Sequence, residues 1–112
     1  MEKEFVPYEQ ALELKELGFN EPCLGYWNID PYLPKPTLNM VRPFDHEWCV
    51  PAPLYQQAFR WFREKFNLHH EIEYNGFEYL GYVSGMTANI FKTYEEAESA
   101  CLKKLIEITK TK

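Results

Sequence analysis

The residues best equipped for chemistry are His46, Cys49, His69 and His70, with Glu47 and Glu71 beside them, because imidazole, thiolate and carboxylate groups ligate transition metals. His46-Glu-Trp-Cys49 supplies one pair at ligand spacing. A structural zinc site needs a second such pair, and the adjacent His69-His70 makes a poor one, since neighbours on a strand point to opposite faces. The histidines are therefore expected to face solvent or to make ordinary hydrogen bonds, and no metal is expected.

Cys49 with His69 or His70 would also compose a nucleophile and its base, whose partners need only meet in space. No helix N-terminus or basic neighbour activates Cys49, and Cys101 falls on an apolar helical stripe. Glu71, Glu73 and Glu78 flank a hairpin and would pair for hydrolysis if they faced each other. Exposed strands, however, carry such charges to stay soluble. The chain has no P-loop, no dinucleotide glycine pattern and no H-E-x-x-H. No catalytic residue and no cofactor are expected.

Binding chemistry has more to work with. A sheet bearing Tyr74, Phe77, Tyr79 and Tyr82 would stack bases, yet no Lys or Arg lies between Asn67 and Phe91 to meet a phosphate chain. Arg60, Arg63 and Lys65, with Glu64 among them, read as a solvated helix face. Seventeen acidic against twelve basic side chains give a net charge of −5, which repels nucleic acid.

A chain of 112 residues is expected to form a single domain, 1–112, that buries roughly 65% of its unfolded surface. Aromatic residues are 17% of it. Each ring buries on the order of 150–250 Å², so a few can hold a small core without disulfides. Cys23, Cys49 and Cys101 are odd in number and widely separated, which points to a reducing compartment. The start, MEKEFVPYEQ, lacks the apolar run of a secretion signal, and no stretch approaches a membrane span. A cytoplasmic location is expected.

The elements that would position these groups follow from spacing. A first helix is predicted from Pro7 to Leu17, closed by Gly18, with Phe19 folding back onto it. Cys23–Ile29 reads as a short strand. From Asp30 to Pro53 six prolines predict a long irregular connection, within which Thr37–Val41 would form an edge strand. A second helix from Pro53 to Phe66 puts Tyr55, Phe59, Phe62 and Phe66 on one face, flanked by Leu54, Ala58 and Trp61. A three-stranded meander follows, turning at Asn75-Gly76 and at Ser84-Gly85, with Met86–Phe91 its last strand. Gly81 marks a bulge or a close approach. A third helix starts at Thr93, capped with Glu96, and runs to Thr109. Tyr8-Glu-Gln-Ala and Tyr94-Glu-Glu-Ala open the first and third helices alike, each a Tyr beside an acidic first turn.

Three blocks, EFVPYEQALELKELGFNEPCLGYW at 4–27, PLYQQAFRWFREKF at 53–66 and TYEEAESACLKKLIE at 93–107, resemble a family of small uncharacterised proteins of phages, prophages and mobile elements of gut Bacteroidales. The middle block is the most specific. The resemblance implies a phage or mobile-element accessory protein in a bacterial cytoplasm, and brings no activity, cofactor or site residue with it. Pro7 departs from the capping Thr of similar sequences.

Together these readings predict an α+β fold, three helices on one face of a small antiparallel sheet. The function expected is a noncatalytic binding module for a host or phage protein, using the 28–52 loop and the sheet. Trp27, Tyr32, Phe44 and Trp48 are its expected anchors, being aromatics in a Pro-rich, otherwise polar setting. A single-stranded nucleic-acid or nucleotide binder is the alternative, and an unpaired sheet edge would allow a homodimer.

Overall fold

A computed structural model of the protein describes residues 2–29, 32, 35–40, 49–84 and 89–111. After a 3-10 turn at Glu2–Glu4 come α1 (Tyr8–Glu16), β1 (Gly25–Asn28), β2 (Thr37–Asn39), β3 (Cys49–Ala52) and α2 (Tyr55–Phe66). They are followed by β4 (His70–Tyr74), β5 (Tyr79–Val83), β6 (Asn89–Phe91) and α3 (Tyr94–Lys110). The class is α+β. Three α-helices accompany two three-stranded antiparallel sheets among the described residues, in strand orders β2-β1-β3 and β4-β5-β6, where the sequence suggested one sheet. The chain divides into two compact units, Met1–Gln56 and Gln57–Lys112.

In the first unit, α1 has no side-chain cap at Pro7, whose ring carries no acceptor. It closes as expected: the Phe19 N–H donates to the Leu14 carbonyl at 3.0 Å, and Phe19 is buried. β2 is the edge strand foreseen at Thr37, paired with β1 from Tyr26↔Asn39 to Asn28↔Thr37. The stretch 30–53 is not wholly irregular, because β3 pairs with the other side of β1. Pro51 hid that strand from the sequence reading. It sits opposite Tyr26 on a sheet edge, where a missing N–H leaves no ladder bond broken. α1 lies against β3, and Phe5, Val6, Ala11, Leu14, Phe19 and Val50 are buried.

α2 follows the predicted pattern. Phe59 and Phe62 are 2% and 0% exposed, and Tyr55, Ala58 and Trp61 are buried with them. Trp61 meets Phe62 and Phe66 edge-on, at centroid distances of 5.0 and 5.1 Å. Burial of each such ring stabilises the fold by about 1.5–3 kcal/mol relative to exposure. Asn67, at φ 54°, takes the left-handed closing position, and the Leu68 N–H reaches back to the Phe62 carbonyl at 3.1 Å.

In the second unit, β4 and β5 pair from His70↔Val83 to Tyr74↔Tyr79, and β6 pairs with β5 from Tyr79↔Phe91 to Gly81↔Asn89. The hairpin turn falls one residue later than expected. The Asn75 N–H donates to the Glu78 carbonyl at 3.1 Å, so Gly76 and Phe77 form the tip. The Asn75 side-chain oxygen causes the shift by accepting the N–H groups of Phe77 and Glu78 at 2.9 and 2.7 Å. Gly76, at φ +96°, then occupies the position that demands a left-handed residue. α3 packs on this sheet, chiefly over β5. Gly81 is a close approach: a Cβ there would stand 3.0 Å from the Cys101 sulfur and 3.3 Å from the Phe91 ring. Thr93 caps α3 as predicted, its hydroxyl oxygen accepting the Glu96 N–H at 3.1 Å.

Candidate functional site

The register of the second sheet sorts its side chains into two faces, because directly paired residues point the same way. His70, Ile72, Tyr74, Tyr79, Gly81, Val83, Asn89 and Phe91 share the face under α3, as the contact of Cys101 with Gly81 requires. Glu71, Glu73, Leu80, Tyr82 and Ile90 share the other. The Tyr82 hydroxyl donates to a Glu73 carboxylate oxygen at 3.3 Å on that second face. Partial desolvation, then the carboxylates of Glu73 and Glu71, raise the Tyr82 pKa above its ordinary value. Ile90, between its paired Leu80 and the sheet edge, is 60% exposed.

At the hairpin end of the sheet the rings converge. The Tyr74 and Tyr79 centroids lie 4.9 Å apart, and Tyr79 meets Tyr94, the first residue of α3, edge-on at 5.8 Å. The Tyr74 hydroxyl donates to the Gly76 carbonyl at 3.0 Å, which ties this ring to the turn. Phe77 stands at the tip, 88% exposed, and Tyr74 and Tyr94 are also exposed. Burial and the Glu98 carboxylate raise the Tyr94 pKa, so its hydroxyl is a neutral donor at physiological pH. Exposed aromatic rings such as Tyr74, Phe77 and Tyr94 offer large contact area at low entropic cost.

Of the anchors expected from sequence, Trp27 is corrected. It is core, 8% exposed, with its indole N–H donating to the Val6 carbonyl at 2.9 Å and its ring edge-on to Tyr8. The bond satisfies its one polar atom across 21 residues of sequence, a pairing that no local pattern reveals. Tyr32 is 88% exposed, as an anchor requires. Phe44 and Trp48 lie outside the described residues, as does His46. Of Tyr74, Phe77, Tyr79 and Tyr94, the sequence offers the first three as base-stacking candidates and Tyr94 only as a helix start. The register also separates Tyr82 from Tyr74 and Tyr79, so the four rings suggested for stacking do not form one platform.

The groups first considered for catalysis are placed otherwise. Cys49 is buried in β3. His69 points to Asn67, whose side-chain oxygen lies 3.1 Å from its Nε2, and His70 turns the other way to stack on Phe59 with 3.5 Å between centroids. Burial, and then the Arg63 charge, lower the His70 pKa to about 4, so the ring is neutral at physiological pH. Cys101 borders a cleft of about 220 Å³ with Val83, Phe91 and Lys104. Burial and then Glu98 push its thiol up to about 11, which keeps it protonated and a weak nucleophile. Among the described residues, no three His, Cys, Asp or Glu side chains gather as a metal site.

The fold and this surface define a small α+β protein with an exposed aromatic and acidic sheet. No family model matches the chain, and neither a curated protein nor a solved structure matches it.

Proposed function

We propose that this protein is a noncatalytic binding module that recognises another protein through the hairpin end of its second sheet. The observation that carries the reading is the ring cluster of exposed Tyr74, half-buried Tyr79 and exposed Tyr94, with Phe77 exposed at the hairpin tip; no Lys or Arg lies between Asn67 and Phe91. Aromatic rings presented on a hydrogen-bonded hairpin make good contact anchors. The lack of countercharge disfavours the alternative partner, a single-stranded nucleic acid or nucleotide.

The resemblance of residues 4–27, 53–66 and 93–107 to small phage and mobile-element proteins of gut Bacteroidales supports an accessory role for such an element, directed at a host or phage protein. A bacterial cytoplasm suits an odd number of widely separated cysteines. Among the described residues, no helix is long and apolar enough to cross a membrane.

The test is capture from a nuclease-treated Bacteroidales lysate by the immobilised wild type and by a Tyr74→Ala, Phe77→Ala variant with an unchanged circular dichroism spectrum. The expected result is a protein retained by the wild type and lost by the variant. Submicromolar, salt-sensitive binding of an oligonucleotide, with no protein retained, would overturn the reading.

A further inference from the structure

The edge strand β4 offers more than its aromatic end. The Ser84 N–H donates to the His69 carbonyl at 2.8 Å, and the Asn75 N–H to the Glu78 carbonyl at 3.1 Å. Hydrogen-bonded pairs alternate along an antiparallel ladder, so 71/82 and 73/80 are the bonded pairs between these two. The N–H and C=O groups of His70, Ile72 and Tyr74 therefore point away from β5, toward an edge on which no described strand lies. This is the longest such edge in the described residues. β2 and β6 have three residues each, and β3 contains Pro51, which has no N–H.

The side chains along that edge choose the occupant. Glu71 and Glu73 stand on one face of β4, both exposed, and Ile72 and Tyr74 on the other. A strand added beside β4 would place alternate side chains next to the two carboxylates and the remainder next to Ile72 and Tyr74. A second copy of this chain pairing through β4 would bring Glu71 and Glu73 against the same residues, a like-charge opposition that destabilises a sheet. Nucleic acid meets the same repulsion. The complementary occupant has Lys or Arg facing the glutamates and apolar side chains facing Ile72 and Tyr74.

We infer that β4 is a strand-addition site for an extended segment of a partner protein in which basic and apolar residues alternate. The inference rests on the protein-binding reading above and specifies the partner's chemistry. The backbone of β4 supplies affinity and the Glu71–Glu73 face supplies selection, the usual division in strand addition.

The test uses the full chain, isotopically labelled, with a short synthetic peptide alternating lysine and valine, a matching peptide alternating glutamate and valine, and an oligothymidylate. The lysine peptide is expected to bind, to weaken as salt is raised, and to slow amide exchange at His70, Ile72 and Tyr74 by about tenfold or more. Glu71→Lys, Glu73→Lys is expected to lose about tenfold or more in affinity for the lysine peptide and to gain binding of the glutamate peptide. Lysine-peptide binding without amide protection would reduce the site to a charged patch and overturn the inference. So would protection of the same amides by self-association without peptide, or by the oligothymidylate. If the lysine peptide fails while lysate capture still depends on Tyr74 and Phe77, strand addition is wrong and the protein-binding reading stands. If capture fails as well, both fall.

Discussion

The rings of α2 and the rings of the β4–β5 hairpin are the same chemistry put to opposite uses. Phe59 and Phe62 are sealed, at 2% and 0% exposure, whereas Phe77 is 88% exposed at a tip held by Asn75 and Gly76. The difference lies in what surrounds each ring. α2 repeats its rings at helical spacing, so one face buries them together. The hairpin divides its rings, with Tyr74 and Tyr79 on the face under α3, Tyr82 on the opposite face and Phe77 in the turn, so no single face gathers them. Aromatic content alone therefore does not say whether a small domain is building a core or a contact surface.

Substitutions can sharpen that contrast or break it. The largest effect belongs to Phe62→Ala, expected to cost about 3–5 kcal/mol of unfolding free energy in urea, because a fully buried ring leaves a cavity. Gly81→Ala is expected to cost about 1–3 kcal/mol by forcing a methyl against the Cys101 sulfur, and adding Cys101→Ala should recover part of the loss. Thr93→Ala should cost about 1 kcal/mol by leaving the Glu96 N–H uncapped.

His70 supplies a pH-dependent contribution. Its folded pKa of about 4 lies below the ordinary 6.5, so the unfolded chain binds the proton more readily. The neutral stacked ring stabilises fully above pH 6.5, and the contribution is lost as pH falls from 6.5 through 4. Urea unfolding of His70→Phe across that window should show a shallower decline than the wild type, since Phe retains the stack on Phe59 without titrating. The smallest effect belongs to Phe77→Ala, expected within about 0.5 kcal/mol of the wild type.

Much of this architecture was legible in the sequence, for identifiable reasons. Helix spacing and caps are local signals, so α2 with its buried face, the Thr93 cap and the closure of α1 at Gly18 could all be read directly. The edge strand at Thr37 was likewise visible. Where a feature depends on distant partners, the local reading fails. β3 pairs with β1 and tolerates Pro51 because it is the edge strand, and Trp27 can be buried because the distant Val6 carbonyl accepts a hydrogen bond from its indole N–H. The candidate surface was half legible. Its rings were plain, but the turn that Asn75 moves by one residue pairs Tyr74 with Tyr79 and leaves Phe77 at the tip, which the local pattern does not reveal.

The central claim is that the ring at the hairpin tip stands outside the core while the α2 rings hold the fold, and paired urea unfolding of Phe77→Ala and Phe62→Ala tests it most directly. The account predicts an unchanged midpoint for the first and a loss of about 3–5 kcal/mol for the second. A loss at Phe77 comparable to that at Phe62 would make the hairpin tip part of the core and contradict it.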